Sequence, residues 1–266
     1  MLRRTLISTL AVLAVSAAIA RADDKSDVTA AITKLGDAPS YSFVNTTDAQ
    51  FVRGPTDGKV EKGGYASLSL ATQDTPLQAF MKDNKAVVKT DAGWQTPAEI
   101  AAAPADGGGG FNPATFAANS LIGYKTPAEQ LKDWSGKLEN FKKSGDSYTA
   151  DLNTDAAKEL LTTRGGRGRG NRGGAGAGAA ATPPTVTNPK GAVKIWVKDG
   201  AVSKFEVHST GSVNRGGNDV AVDRTNTTEI KDVGSTKVAI PDDAKKKLDA
   251  APAMALPAAP ATPAGR

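Results

Sequence analysis

The chain contains no cysteine, one histidine and few aromatics: three Trp, four Tyr and seven Phe in 266 residues. Without cysteine there is no disulfide framework, no thiol nucleophile and no lipid attached through sulfur. With His208 as the only imidazole, no His/Cys metal centre can be assembled. GxSxG is absent, so a serine triad would have to recruit His208 itself. The acidic pairs Asp23-Asp24 and Asp242-Asp243 fall near a terminus and at a helix start, where the helix dipole accounts for them. No catalytic constellation, metal or cofactor is expected, and the chain does not read as an enzyme.

Long apolar runs are scarce, and the clearest is at the start. Residues 1–22, MLRRTLISTLAVLAVSAAIARA, have the form of a secretory signal peptide. Arg3 and Arg4 open it, an apolar run follows, and Ala20-Arg21-Ala22 offers a small-x-small cleavage site. The run is short for a membrane span. The expectation is cleavage after Ala22 and a soluble periplasmic or secreted protein with no stable membrane span. Net charge is +5, but residues 1–22 hold three of the 33 basic residues and none of the 28 acidic ones, which leaves +2. Four of the remaining basic residues, Arg164, Arg167, Arg169 and Arg172, share one glycine-rich run. Basicity therefore belongs to a segment rather than to the fold, and nucleic acid is an unlikely partner by that distribution.

What the chain has is period-two alternation. The most telling stretch is 191–213, where Val193, Ile195 and Val197 alternate with Lys194, Trp196 and Lys198 before Asp199-Gly200. A three-residue loop with a left-handed Gly200 at a bulge would pair Val193 with Phe205, Ile195 with Ser203 and Trp196 with Val202, keeping one face apolar. That face comprises Val193, Ile195, Val197, Phe205 and Val207, with Trp196 and His208 opposite. Further strands are predicted at 41–47, around a Gly-Pro-Thr-Asp-Gly turn at 54–58, at 65–72 (Leu68 and Leu70 on one face), and at 220–230 and 236–240. Hairpins are predicted at 77–90 around Asp83-Asn84 and at 137–152 around Ser144-Gly145-Asp146.

Helices are predicted from Ser26 to Gly36, over 113–121, after a Thr154 cap, and from Pro241 through Leu248. Gly93-Trp-Gln-Thr-Pro-Ala-Glu99 and Gly123-Tyr-Lys-Thr-Pro-Ala-Glu129 echo one another, each reading as a capping box with proline at the first helical turn. The organisation expected is a signal peptide (1–22), one β-rich domain (23–248) with a disordered Arg/Gly/Pro-rich insertion at 164–189, and a disordered Ala/Pro tail (249–266). The fold class is mainly antiparallel β (α+β): a curled sheet or half-open barrel covered on one face by short helices.

The run Lys194-Ile-Trp-Val-Lys-Asp-Gly200, a charged strand, a Thr-rich strand and Asp232-Val-Gly234 before Val238-Ala-Ile-Pro241 are similar to the closing strands of the LolA-like family of periplasmic lipoprotein carriers. That family includes LolA/LolB/LppX-type half barrels. Gly93-Trp94 after a hairpin fits the same pattern. The resemblance implies a half-open barrel whose concave apolar side is lidded by helices and holds a lipid, a lipoprotein acyl chain or another apolar ligand. The cavity would draw on Val193, Ile195, Val197, Phe205, Val207, Leu68, Leu70, Trp94 and Trp134, with Trp196, Phe80, Phe111, Phe116 and Leu121 as further aromatic and apolar candidates, and with the two capped helices as gates. The alternative is an envelope interaction protein with a filled core, whose Arg164, Arg167, Arg169 and Arg172 contact an anionic surface.

Overall fold

Alternation produces strands wherever one face can be buried, and among the described residues eleven such strands form, joined in antiparallel ladders. The computed structural model describes residues 12–48, 55–71, 75–103, 112–163, 185–215 and 217–254. Backbone contacts gather the chain into two compact units, one drawn from 1–38, 127–163 and 184–231 and the other from 39–126, 164–183 and 232–266.

In chain order the elements are α1 (Val12–Asp37), β1 (Ser40–Thr47), β2 (Pro55–Glu61), β3 (Ala66–Leu70), β4 (Leu77–Lys82), β5 (Lys85–Thr90) and β6 (Gly93–Gln95). Three short helices follow, α2 (Pro97–Ala102), α3 (Pro113–Leu121) and α4 (Pro127–Ser135), then β7 (Leu138–Ser144), β8 (Ser147–Leu152) and α5 (Thr154–Thr163). The chain closes with β9 (Val186–Lys198), β10 (Ala201–Arg215), β11 (Asn218–Lys231) and α6 (Asp242–Ala250). The fold class is mainly antiparallel β with helices, of which α1 alone among those described is long. One unit carries the strands in the order β6-β5-β4-β3-β2-β1, the other in the order β11-β10-β9-β8-β7, and neither run closes on itself.

In the unit holding β1–β6, one sheet face aligns Phe43, Gly58, Leu68, Ala79 and Val88 across five strands. Gly58 is the small member of that row. A Cβ there would lie 2.6 Å from the Phe43 ring and 2.9 Å from Leu68, so the strand passes beneath the ring only because the side chain is missing. The opposite face carries a cluster of Phe80, Val87, Ala244 and Leu248, against which Tyr65, Trp94, Val238 and Ile240 pack. Here α6 is the cover, and the chain beyond it stays attached. Asn84 and Met254 exchange two hydrogen bonds of 2.8 Å, and Lys85 Nζ donates to the Asp249 carbonyl.

Several local expectations change. Pro55-Thr-Asp-Gly58 is strand, not turn, since proline is tolerated as a first strand residue and Gly58 is needed for the close approach. Residues 236–240 form no strand. Val238 and Ile240 satisfy their alternation by packing on the α6 cluster, and the Val238 amide donates to Glu61 Oε1. Ser26 lies inside α1 rather than capping it, because no glycine or proline interrupts the sequence from Val12 to Leu35. Asn153, not Thr154, caps α5, its Oδ1 accepting from the Ala156 amide at 3.0 Å. β9 begins at Val186, inside the stretch expected to be disordered, and ordered chain reaches Met254, inside the expected tail.

Thr96 and Glu99 form the expected capping box on α2, and Glu99 also binds Lys247 of α6. The Lys247 hydrogen bond, followed by the Thr96 amide, lowers the Glu99 pKa to about 2. A depressed carboxylate stabilises the fold above its unfolded value and loses that contribution as pH falls. The side chain is 46% exposed, so the effect is discounted to about 1 kcal/mol or less. Thermal melts of Glu99→Gln should therefore lie below wild type at pH 7 and converge with it as pH drops from about 4.5 toward 2. Gly58→Ala should cost about 1–3 kcal/mol in urea unfolding, the range for an overpacked core.

Candidate functional site

The apolar face read from residues 191–213 exists, but by a different register. Asp199 (φ 53°) and Gly200 (φ 71°) form a two-residue left-handed turn, which matches the twist of the strands it joins. The pairs are Val197 with Val202, Trp196 with Lys204, Ile195 with Phe205 and Val193 with Val207, with a shift between Val202 and Lys204. The bulge therefore sits at Ser203, past the turn, and it resets the alternation so that no lysine is turned inward. Gly200 is left-handed as expected, but the three-residue loop is not what forms.

Two cross-strand rows make the centre of this face. Tyr148, Ile195, Phe205 and Thr228 form one, and Ala150, Val193, Val207 and Asn226 the other. Val193, Ile195, Phe205 and Val207 are each at most 2% exposed, while Val197 is half-buried. Three helices of the same unit lie on these strands. α1 buries Val28, Ala31, Ile32 and Leu35, and α4 buries Leu131 and Trp134, whose ring meets Phe205 edge-on at 6.3 Å. α5 buries Ala157, Leu160 and Leu161 close to the sheet, where a Cβ on Gly211 would fall 2.6 Å from Leu161. α1 is tied at its rim, with Lys34 Nζ donating to the Asp199 carbonyl at 2.6 Å and the Tyr148 hydroxyl donating to Asp27 at 2.8 Å.

Along β11 the same face is less covered. Val220 is 45% exposed, and Val222, Arg224 and Asn226 are half-buried. These residues stand opposite Val213, Gly211, Ser209 and Val207. Arg224 is thus a cation within an apolar face, and its Nε is shut off from solvent. Sequence reasoning missed it. The signal was the inward phase of Val220, Val222 and Arg224, legible only once the strand's partner and register are known.

The expected cavity set draws on both units. Val193, Ile195, Val197, Phe205, Val207 and Trp134 share the face just described, whereas Leu68, Leu70 and Trp94 belong to the other unit. There Leu68 and Leu70 are buried, but Trp94 is on the α6 side of the sheet, 5.3 Å from Phe80, opposite in phase to Leu68. The two echoed helices also separate, α2 into one unit and α4 into the other. Arg164, Arg167, Arg169 and Arg172 lie outside the described residues, as does Phe111.

The outer face of β8–β11 is polar. Trp196 lies under Lys194 and Lys204, whose ammonium groups are 4.6 and 4.3 Å from the ring centre. A groove of about 210 Å³ runs beside it, lined by Asn140, Asp151, Lys194, Glu206 and His208 among others. Asn140 bonds Asp151 within it, and Glu206 and His208 bond neighbours at its side: Glu206 pairs with Lys204, and His208 Nε2 lies 2.8 Å from Asp223. Among the described residues no three His, Cys, Asp or Glu side chains are grouped to hold a metal ion, and no helix is long and apolar enough to cross a membrane.

No known family matches the sequence, and no curated protein does. In structure the chain is similar to the Mycobacterium tuberculosis lipoprotein LppX, with 8% identity, a TM-score of 0.47 and coverage of 82% of this chain and 98% of that one. It is also similar to LprF from Mycobacterium bovis (10%, 0.42; 84% and 97%) and to a LolA superfamily protein from Nitrosomonas europaea (10%, 0.26; 81% and 94%). The likeness is distant and concerns the fold alone.

The two tryptophans of the hairpin unit, Trp134 buried and Trp196 half-buried, make a direct comparison. Trp134→Ala should lower stability by about 3–5 kcal/mol, as expected for a buried Trp. Trp196→Ala, which removes only lysine–ring contacts and a half-buried side chain, should cost about 1 kcal/mol. Urea denaturation followed by circular dichroism separates the two.

Proposed function

We propose that this chain is an exported, non-enzymatic binding protein or carrier for an apolar ligand, a lipid or an acyl chain. The ligand is held against the β9–β10 face beneath α1, α4 and α5. The observation that supports this reading is the continuity of that face. Its rows run from Val193 and Phe205, closed under helices, onto β11, where Val220 and Val222 meet solvent. Burying an apolar chain there removes surface from water at about 25 cal/mol per Å², and no reacting group is needed. The helices are the elements that would move, since α1 is held at its rim by a few polar contacts and α5 rests on Gly191 and Gly211 through leucine side chains. Export rests on the form of residues 1–22.

Organic extraction of the purified protein followed by mass spectrometry should recover co-purified lipid. A fluorescent fatty acid should bind and be displaced by unlabelled lipid. Val222→Glu, on the open part of the face, should weaken the probe about tenfold with the fold intact, the loss of roughly one valine's burial. A clean extract together with no probe binding would end the carrier reading.

A further inference from the structure

The polar outer face of the hairpin unit carries a groove whose charges are unevenly satisfied. Lys142, Thr149, Lys194 and Glu206 form one cross-strand row over β7–β10, and Asp151, Ala192 and His208 form the next row over β8–β10. All belong to one compact unit. Thr149 and Ala192 are short residues among long ones, and the depression over them is the groove of about 210 Å³. Ala192 is exposed at its floor. The carboxylates at its sides are each engaged through one oxygen, Asp151 Oδ2 by the Asn140 amide and Glu206 Oε1 by Lys204. Asp151 Oδ1 and Glu206 Oε2 stand outside those contacts. His208 is held by Asp223. The lysines differ: the Lys194 ammonium lies over the Trp196 ring, and among the described residues neither Lys142 nor Lys194 is paired with a carboxylate.

We propose that this groove binds a primary aminoalkyl phosphate of the phosphoethanolamine type. Lys142 and Lys194 stand roughly 10 Å apart, two strand spacings, on either side of Thr149, so both ammonium groups can reach an anion placed above that residue. Two separate point charges, each with three donors, suit a tetrahedral anion with several oxygens, whereas a planar carboxylate is better matched by a guanidinium fork. Asp151 lies one row further, roughly 7 Å along β8, and Glu206 stands beside Lys194. Their second oxygens only accept hydrogen bonds, which makes them partners for an ammonium two carbons from the phosphate. The short floor matters as much as the charges, because a longer side chain at position 192 would occupy the space that the linker crosses. Such a group reaches the protein either as a membrane lipid headgroup or as a free phosphate ester, and the chemistry recognised is the same. The site lies on the face opposite the apolar rows and stands whether or not those rows hold a ligand.

Titration of the purified protein with O-phosphoethanolamine, O-phosphocholine and inorganic phosphate, followed by backbone amide shifts, reads the site directly. O-phosphoethanolamine should shift the Thr149 and Ala192 amides and bind about tenfold more tightly than inorganic phosphate, the contribution of one added charge-assisted hydrogen bond. O-phosphocholine, whose quaternary nitrogen has no N–H to donate, should bind more weakly than O-phosphoethanolamine. Asp151→Asn should bring O-phosphoethanolamine down toward inorganic phosphate, Lys194→Gln should weaken both, and Ala192→Phe, at an exposed strand position, should abolish both. Equal affinity for O-phosphoethanolamine and inorganic phosphate would overturn the proposal by removing the amine from it. Binding that survives Ala192→Phe, or no binding at all, would overturn the groove as the site. Cosedimentation with phosphatidylcholine vesicles that contain phosphatidylethanolamine, lost in Ala192→Phe, assigns the lipid headgroup as the source, whereas soluble binding without it assigns the free ester. The wild-type order of the three soluble ligands decides the proposal even where a variant fails to fold.

Discussion

The register of β10 against β9 is the constraint from which the rest of the hairpin unit follows. A slip of one residue would turn Lys204, Glu206 and His208 toward the helices and put Phe205 and Val207 into water. Trp134 would then have no ring to meet, and the apolar stripe of α1 would face charge. What prevents the slip is local: a left-handed Asp199-Gly200 turn that brings the strands round with the correct twist, and a bulge at Ser203 that absorbs the residue which would otherwise invert the pattern. β11 then inherits its phase from β10 without interruption through twelve consecutive pairs, which is why Arg224 ends up inward.

The faces of this hairpin were legible in sequence because alternation states them directly. The register was not, since a bulge is a one-residue event that leaves no mark on composition, and two turn lengths can each yield an apolar face. The same limit appears elsewhere. Pro55-Thr-Asp-Gly58 has the residues of a turn, and only the Phe43 ring across the sheet explains why a strand needs that glycine. Val238 and Ile240 have strand alternation, yet their side chains pack on the α6 cluster and the Val238 amide donates to the Glu61 carboxylate rather than to a ladder. Asn153 and Thr154 are adjacent residues of capping type, and local propensity does not choose between them. The capping box at Thr96 was legible because both members are close in sequence. Its tie to Lys247 was not, because that partner comes from the far end of the chain. Trp94 parts from Leu68 and Leu70 for a topological reason: it lies on β6 while they share β3, and the phases compare only through the ladder that joins those strands.

Scarcity of aromatics is matched by how they are covered. Five lysine ammonium groups lie over four rings: Lys82 over Tyr65, Lys89 over Trp94, Lys143 over Tyr148, and Lys194 with Lys204 over Trp196. Each ammonium is drawn to the ring face by cation–π attraction. The ring thus stiffens a strand without offering a patch for association. This suits a chain with no disulfide to hold exposed edges in place. It also separates the two sides of the hairpin unit chemically, with a charge-saturated outer face and an inner face whose charge is confined to Arg224.

The placement of α6 also governs the order in which the protein can be finished. Phe80, Val87 and Trp94 are early in the chain, and their cover, Ala244 and Leu248, is nearly the last part to appear. A chain emerging from its N-terminus can pair β1 through β6 as successive hairpins, but one side of that sheet stays uncovered until the closing helix arrives and Met254 reaches Asn84. For that interval the unit has its topology without its full stability, and the exposed aromatic cluster is the surface most open to misassociation or to a chaperone.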